Sequence, residues 1–288
     1  MEARENTYAE LYRELITQLL GYPEYVNSPR DQKVNEITNV TMHLTNPLSN
    51  MFKNAARDIP KKYLAAELLW YFSGRNDLTF IQKYASFWSK ITNEDDTLNS
   101  AYGNLIFNKR DNGDDESQWK WAYDSLVKDK DTRQALIHFN RPEHQFRGNK
   151  DFVCTLNGMF LIRDNKLHFS TIMRSNDVYF GLTFDLPFFT LLQQQMYRHL
   201  KPVYPELELG TYTQFDVSLH AYERNFKTLK SMLENDFEED NTPELDIDMV
   251  TEEGEMTEEV ASLLIAVEEK QDFTSDSKFL NWLFGNVS

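Results

Sequence analysis

An α/β fold is predicted for this chain, because strand-like segments alternate with segments in which apolar residues recur at helical spacing. A chain of 288 residues with 41% hydrophobic residues can bury a substantial core. Residues 234–269 carry fifteen Asp and Glu and no Lys or Arg, so the composition changes after Leu233. We therefore predict a folded domain over residues 1–233 and an acidic C-terminal extension over residues 234–288.

The first part of the chain predicts a helix, a strand and a second helix. Residues 7–20 have amphipathic helical spacing and stop at a glycine, and residues 34–44 suit a partly exposed strand. Residues 63–73 predict an apolar helix with one carboxylate, Glu67. Either Glu67 reaches solvent from the helix edge or it is buried with partners, since a buried unpaired carboxylate costs several kcal/mol.

The second part predicts strands, then a long helix, then a strand followed by a helix. The strands span residues 134–140, 152–162 and 166–173, and the last two are joined by a tight turn at residues 163–165. The later elements are a helix over 184–200, a strand-to-helix segment over 214–233, an acidic loop up to 255, a short helix over 256–269 and an aromatic segment over 279–284 that docks on the body.

Charge and hydrophobicity exclude several classes of function. The net charge is −16, but outside residues 234–269 there are 31 acidic and 30 basic residues, so the body is near neutral. A protein this acidic is not expected to bind duplex DNA without sequence preference, because that affinity depends on Lys and Arg. Apolar runs fall short of the ~18 residues that a membrane span needs, and the N-terminus lacks signal-peptide features. We expect a cytoplasmic protein.

The single cysteine, Cys154, is the first candidate for chemistry. It cannot form an intramolecular disulfide, and one thiol excludes a Cys-rich zinc site. By itself, a cysteine between Val153 and Thr155 in a strand-like segment is more often an inert core residue. The polar run from Arg174 to Asp177, twenty residues further on, favours a nucleophile instead.

These residues carry a resemblance to a known family. The segments around Cys154, Met173–Gly181 and Ser218–Tyr222 resemble the thymidylate synthase family, and within it the phage deoxycytidylate hydroxymethylases. Glu67, Trp88, the Ala101-Tyr102-Gly103 segment and Asp131-Thr132-Arg133 extend the resemblance over about residues 30–226 in the family's order. It implies a mixed sheet packed against helices, a sheet face at a homodimer interface, and no metal.

The resemblance implies a catalytic set and a substrate-binding set. Cys154 would add to C6 of a pyrimidine, and a nearby Arg174 would lower the pKa of its thiol. Glu67, Tyr102 and Asp185 would serve the chemistry, with Glu67 organising water and proton transfer and Asp185 drawing electrons from the ring as the thiolate adds. The nucleotide would be bound by these side chains: Arg30, Arg133 from the second subunit, Arg174, Ser175, Asp185, His220 and Tyr222. The folate co-substrate, 5,10-methylenetetrahydrofolate, would be bound by Trp88, Asp177 and Gly181.

Asp185 is expected to read the base. In thymidylate synthases an Asn at this position pairs with uracil, whereas a carboxyl can accept from N4 of cytosine and share a proton with N3. The alternative is a purely structural role, in which Asp185 is the N-cap of the helix predicted to begin there. Other positions also depart from the synthase pattern: Met173 replaces Gln, Thr155 replaces His, and Gln134 replaces a second phosphate-binding Arg.

The predicted function is folate-dependent 5-hydroxymethylation of dCMP. The sequence leaves three alternatives open: a dCMP C5-methyltransferase, a dUMP-directed synthase or hydroxymethylase, and a catalytically idle family member that binds a partner. A nucleotide-synthesising complex is a further predicted partner, through the acidic extension.

Overall fold

A mixed β-sheet runs through the first of two units in the computed structural model, which describes residues 1–109 and 116–288. Unit 1 comprises residues 1–59, 163–194 and 207–242. Unit 2 comprises residues 60–162, 195–206 and 243–288. The residues predicted to carry chemistry are divided between the two units, so each unit is described by itself.

The elements follow each other in the order that the α/β prediction requires, with helices and strands interspersed. The strands are β1 (Glu2–Glu5), β2 (Tyr25–Asn27), β3 (Val34–Leu44), β4 (Phe52–Asn54), β5 (Leu136–His138), β6 (Thr155–Arg163), β7 (Lys166–Met173), β8 (Asn176–Asp177), β9 (Glu208–Tyr222) and β10 (Phe237–Glu239). The helices are α1 (Tyr8–Gly21), α2 (Lys61–Phe72), α3 (Leu78–Ile81), α4 (Trp88–Ile91), α5 (Tyr102–Phe107), α6 (Gln118–Lys128), α7 (Gly181–Leu200), α8 (Phe226–Leu233), α9 (Glu258–Glu269) and α10 (Lys278–Val287).

In unit 1 the long strands pair in the order β1, β3, β9, β7. Strand β9 is antiparallel to β3 and parallel to β7, which makes the sheet mixed. The short strand β8 pairs with the end of β9 and places Asp177 opposite His220. The sheet therefore brings two predicted site residues, far apart in sequence, next to each other at one end of β9.

Helix α1 packs against this sheet through one buried face. A capping box begins it: the Thr7 hydroxyl accepts from the backbone N–H of Glu10, whose carboxylate accepts from Thr7 N–H. Its buried side chains recur at helical spacing and include Leu11, Leu15 and Leu19, all at 0% exposure. Burying each such side chain contributes about 1.5–3 kcal/mol relative to an exposed one.

Unit 2 is mainly helical, with β5 antiparallel to β6. Helix α2 packs on α5 and α10, and α9 packs on α10. Lys62 Nζ of α2 donates to the backbone oxygen of Ser288 at 2.9 Å. Residues 243–288 thus contact the helix that carries Glu67. The predicted boundary between a domain over residues 1–233 and an extension over residues 234–288 stays a prediction.

The α/β prediction is confirmed, and the elements with clear periodicity lie close to their predicted positions. The strand predicted over 166–173 coincides with β7, and the one over 34–44 with β3. Both show the alternating burial expected of a half-buried strand. Between β6 and β7, Asp164 and Asn165 both have positive φ, as the predicted tight turn requires.

Two local expectations need correction. Cys154 lies in a bend just before β6, which begins at Thr155, and is therefore outside the strand predicted over 152–162. Helix α7 begins at Gly181, so Asp185 lies inside the helix and is not its N-cap. The aromatic segment over 279–284 forms part of helix α10.

Candidate functional site

In unit 2, Cys154 lies on a segment that side chains from elsewhere in the unit hold in place. Asn99 Nδ2 donates to the carbonyl of Asp151 at 3.1 Å, and Asn140 Nδ2 donates to the carbonyl of Val153 at 2.9 Å. The Asp151 carboxylate accepts from the Ser100 N–H at 2.8 Å and from its hydroxyl. Cys154 is half-buried, so the bend in which it lies leaves part of the residue accessible.

The residue after Cys154 connects this segment to Tyr102. Thr155 Oγ1 donates to the Tyr102 hydroxyl at 2.9 Å, and both residues are buried. The Tyr102 ring stacks on Tyr71 with centroids 5.3 Å apart and meets Phe139 edge-on. Tyr102, predicted as a catalytic residue, therefore fixes the position next to the thiol.

Glu67 is buried in unit 2, with 5% of its surface exposed, so the alternative that it reaches solvent is wrong. Burial raises the pKa of Glu67 to about 7, although hydrogen bonds from Tyr63 and Tyr71 act in the opposite direction. A carboxyl that titrates near neutral pH can both accept and release a proton. Glu67 therefore has the property that proton transfer requires.

Two other predicted residues lie in unit 2. Trp88 begins α4, is buried, and donates from Nε1 to the Tyr63 hydroxyl at 3.2 Å. Beside it the Phe87 ring is 56% exposed. Arg133 is exposed on the loop between α6 and β5, where a cationic side chain is free to meet a partner molecule.

In unit 1, the polar run after β7 forms a tight structure around Asp177. Arg174 and Ser175 are half-buried and follow directly on the last residue of β7. The Asp177 carboxylate accepts from the backbone N–H groups of Tyr179 and Phe180, just before α7. Burial raises the pKa of Asp177 and lowers the pKa of His220, its neighbour across the strand pair.

Asp185 lies on the same side of α7 as Gly181, one helical turn further on. A Cβ atom at Gly181 would meet Asn176 Oδ1 at 2.9 Å and Asp185 Oδ2 at 3.6 Å. Glycine is therefore required for the close approach of the Asn176 amide. The arrangement places the Asp185 carboxylate near the polar run that begins at Arg174.

His220, Tyr222 and Arg30 form the remaining part of the predicted substrate-binding set. The His220 and Tyr222 rings meet edge-on with centroids 5.2 Å apart. The Arg224 guanidinium lies over the Tyr222 ring, with Cζ 4.0 Å from the ring centroid. Arg30 is exposed, has a φ of 53°, and its charge contributes to lowering the pKa of His220.

Sequence reasoning missed Arg57, which holds the start of α7. Its guanidinium is buried and donates to the Tyr12 hydroxyl at 3.0 Å and to Thr183 Oγ1 at 3.1 Å. It also donates to the Tyr179 carbonyl and lies over the ring of the same residue. These partners lie more than forty positions away in sequence, so no local pattern could have indicated them.

A second missed group is the buried carboxylate Asp216, at 0% exposure. It accepts from Asn176 Nδ2 and from Gln214 Nε2, both at 2.9 Å. Tyr212 donates to Gln214 Oε1 at 2.7 Å and is itself bonded to Thr171. This chain of polar groups supports Asn176, which lies between the predicted phosphate ligand Ser175 and Asp177.

Asp216 should make stability depend on pH. Burial raises its pKa to about 7, so the folded protein binds more protons than the unfolded chain between about pH 4 and 7. Its contribution is fully present below about pH 4 and is lost as pH rises through 7, with a slope of at most about 1.4 kcal/mol per pH unit. The free energy of unfolding, measured in urea across this pH range, should fall less steeply with rising pH for Asp216→Asn than for wild type.

The matched control is Asp58→Asn, which makes the same change at an exposed position. We expect this variant to keep the wild-type dependence of unfolding free energy on pH. If the free energy of unfolding depends on pH with the same slope in wild type and in Asp216→Asn, the raised pKa of Asp216 is contradicted.

The described residues were searched for membrane spans and metal sites. Within residues 1–109 and 116–288, no helix is both long and apolar enough to cross a bilayer. In the same ranges no three His, Cys, Asp or Glu side chains are grouped to hold a metal ion.

Comparison with known proteins finds one family. The family model described as thymidylate synthase matches residues 10–269, beyond both ends of the segment in which the sequence resemblance was seen. The chain is 27% identical over 294 residues to the deoxyuridylate hydroxymethyltransferase of Bacillus phage SP01, covering 96% of this chain and 72% of that protein. It is 30% identical over 172 residues to the deoxycytidylate 5-hydroxymethyltransferase of Enterobacteria phage T6, covering 57% of this chain and 68% of that protein.

A solved structure gives the same fold. The thermostable thymidylate synthase A from Bacillus subtilis superposes with a TM-score of 0.61 at 21% identity, covering 79% of this chain and 84% of that one. Members of the matched family transfer a one-carbon unit from methylenetetrahydrofolate to a pyrimidine nucleotide.

Proposed function

The chain belongs to the thymidylate synthase family, and we propose that it converts dCMP to 5-hydroxymethyl-dCMP with 5,10-methylenetetrahydrofolate as the one-carbon donor. The observation that carries the choice of substrate is the carboxylate of Asp185. It lies one turn into α7, beside the polar run that begins at Arg174. A carboxylate at this place suits cytosine, which presents an amino donor at N4.

Cys154 is the proposed nucleophile. Its thiolate forms a bond to C6 of the pyrimidine, which makes C5 electron-rich enough to form a bond to a one-carbon electrophile. C5 then loses its proton while the bond between the one-carbon unit and the folate nitrogen breaks, which releases tetrahydrofolate and leaves an exocyclic methylene on the pyrimidine. Water adds to this methylene, and the bond from Sγ to C6 breaks. Asn99 and Asn140 hold the backbone beside Cys154, so the half-buried thiol is kept in a fixed position from which it can attack C6.

Asp185 is the proposed base reader. Cytosine offers an amino donor at N4 next to N3, and a carboxyl group can accept from N4 while sharing a proton with N3. This pairing also draws electrons from the ring as the thiolate adds at C6. Uracil offers the opposite pattern, with an acceptor at O4 and a donor at N3. A site that pairs its polar groups with one base can reject the other by roughly 10⁴-fold.

Glu67 is proposed to activate the water that ends the reaction. At neutral pH its pKa of about 7 leaves a large share of the carboxyl ionised and able to accept a proton from water. Delivery of water gives a hydroxymethyl group, whereas delivery of hydride would give a methyl group. A buried Glu67 with a pKa in the neutral range fits the proton transfer that the water route requires.

Phosphate and sugar are proposed to be held by the polar residues of unit 1. Arg174 and Ser175 would bind the phosphate together with Arg30, since guanidinium groups pair with phosphate oxygens in a forked geometry. His220 and Tyr222 would bind the 3′-hydroxyl of the sugar. The exposed Arg133 of a second subunit would complete the phosphate site.

A homodimer through the sheet of unit 1 follows from this proposal. Thr41, Phe215 and Ile172 form one row across β3, β9 and β7, and all three are half-buried in a single chain. Val217, further along β9, is 41% exposed. Such a face suits burial against a second copy. Sedimentation equilibrium should give twice the chain mass, and a monomer would contradict the dimer.

The residues assigned to the folate fit a flat heteroaromatic group. Phe87 is 56% exposed beside Trp88 in unit 2, and Phe180 is 49% exposed beside Asp177 in unit 1. These rings offer stacking surface, and the Asp177 carboxylate offers an acceptor for a ring N–H. Gly181 keeps the adjoining backbone free of a side chain. When bound, the folate supplies carbon at the oxidation level of formaldehyde.

A second candidate acts on dUMP. It is favoured by the similarity to the phage SP01 deoxyuridylate hydroxymethyltransferase, which extends over 96% of this chain. The two candidate functions give every site residue the same role except the residue that reads the base. Substrate preference alone therefore distinguishes them.

The experiment that tests the proposal is incubation of purified protein with methylenetetrahydrofolate and either dCMP or dUMP, followed by chromatography of the nucleotides. We expect dCMP to be consumed and dUMP to remain. Consumption of dUMP alone would establish the second candidate. If neither is consumed, the proposal of a deoxynucleotide substrate fails.

A further inference from the structure

Three side chains of helix α2 share one face and meet at a single carboxylate oxygen. Tyr63, Glu67 and Tyr71 are spaced four residues apart, so they follow each other along the helix. The Tyr63 hydroxyl donates a hydrogen bond to Glu67 Oε1. The Tyr71 hydroxyl reaches the same oxygen at 3.4 Å. Both hydrogen bonds lower the pKa of Glu67, and that from Tyr63 has the larger effect.

Tyr63 also faces a second residue, Trp88 of α4. The Trp88 Nε1–H donates to the Tyr63 hydroxyl oxygen at 3.2 Å. The hydroxyl is then an acceptor from the indole and a donor to the Glu67 carboxylate at the same time. Hydrogen bonds connected in this way strengthen one another, because each polarises the next.

We propose that Tyr63 is a positioning residue that fixes the Glu67 carboxylate and couples it to the indole of Trp88. The inference rests on the proposed function, in which Glu67 activates water and Trp88 packs against the folate. A flat ring that moves the Trp88 indole changes the hydrogen bond to Tyr63, and through it the bond to Glu67. Occupancy of the folate site is thereby transmitted to the group that handles the proton.

The surroundings of Glu67 are simple enough for a clean test. Among the described residues, Tyr63 and Tyr71 are the titratable side chains that act on its pKa besides burial. From the packed helix α5, Tyr102 contacts Tyr71 through ring stacking at 5.3 Å. Removing the Tyr63 hydroxyl should therefore act on Glu67 directly, through the hydrogen bond that is lost.

The test compares Tyr63→Phe with the matched control Tyr71→Phe, which removes the other hydroxyl on the same helix face. Carboxyl ¹³C NMR of the free protein follows the titration of Glu67, with its signal assigned by loss in Glu67→Gln. We expect Tyr63→Phe to raise the pKa of Glu67 by about one pH unit, because a hydrogen bond to the ionised form is lost. Tyr71→Phe should raise it less, because its hydrogen bond has the smaller effect on the pKa of Glu67.

Trp88→Phe tests the link to the folate side. It removes the indole N–H and should move the Glu67 titration in the same direction as Tyr63→Phe, by a smaller amount. In the double variant of Tyr63 and Trp88, the Trp88 change should add nothing further, since its effect passes through the Tyr63 hydroxyl.

Kinetics supply a second readout on whichever nucleotide the wild type consumes. Tyr63→Phe should lower kcat by about tenfold while the nucleotide KM stays within about twofold, because the lost hydrogen bond acts on the chemical step. An unchanged Glu67 titration in Tyr63→Phe, or equal shifts in Tyr63→Phe and Tyr71→Phe, would overturn the inference. If the wild type consumes no nucleotide, the proposed function fails, while the NMR titration of the free protein still decides the role of Tyr63.

Discussion

Cys154→Ser should lower turnover by roughly 10⁴-fold or more, because a serine hydroxyl is a far weaker nucleophile than a thiolate toward C6 of the pyrimidine. Binding of the nucleotide should persist, since phosphate and sugar are proposed to be held by other side chains. Calorimetric titration with dCMP measures the binding, and nucleotide consumption measures the turnover. Turnover near the wild-type rate would remove Cys154 from the mechanism.

The reactivity of the single thiol can be measured separately from turnover. Cys154 is the only cysteine of the chain, so alkylation of the whole protein reports a single thiol. The proposed nearby Arg174 should lower the thiol pKa below its ordinary range near 8.5. The rate of alkylation against pH should therefore rise at lower pH than for a free thiol, and Arg174→Ala should move the curve back. A matched control is Arg163→Ala, at the end of β6.

Asp185→Asn should shift the base preference from dCMP toward dUMP. An amide can donate to O4 of uracil and accept from N3–H, whereas it can no longer share a proton with N3 of cytosine. With roughly 10⁴-fold discrimination available to a site of this kind, the ratio of kcat/KM values for dCMP and dUMP should fall by several powers of ten. Steady-state kinetics with both nucleotides measure this ratio.

Asp177→Asn provides the control, because it makes the same chemical change eight positions earlier. Asp177 is proposed to face the folate and to accept from two backbone N–H groups before α7. This variant should lose activity with both nucleotides while the ratio between them stays constant. An unaltered ratio in Asp185→Asn would show that another group reads the base.

The fold could be predicted where a segment carries its own periodicity. Strand β7 has alternating buried positions, and its limits coincide with the predicted 166–173. The short helices α3 and α4 have four residues each and were not predicted. Four residues contain too little periodicity for a pattern, and such helices depend on packing by the rest of the chain.

The residue types of the site could be predicted from the sequence, whereas the side chains that hold the site residues in place could not. The start of α7 was placed at residue 184, because nothing in the local pattern marks Gly181 as a helical position. Arg57 and Asp216 were missed because tertiary structure brings partners to them from distant parts of the chain. Tyr63 was missed because its contact with Glu67 follows ordinary helix spacing, while its contact with Trp88 depends on tertiary structure.

The central claim is that water completes the reaction on cytosine. It is tested most directly by mass spectrometry of the nucleotide product formed from an equimolar mixture of dCMP and dUMP in H₂¹⁸O with methylenetetrahydrofolate. We predict that dCMP gains one CH₂O unit that carries ¹⁸O, while dUMP is unchanged. A gain of one CH₂ unit on dCMP would contradict the role of water, and modification of dUMP instead would contradict the role of Asp185.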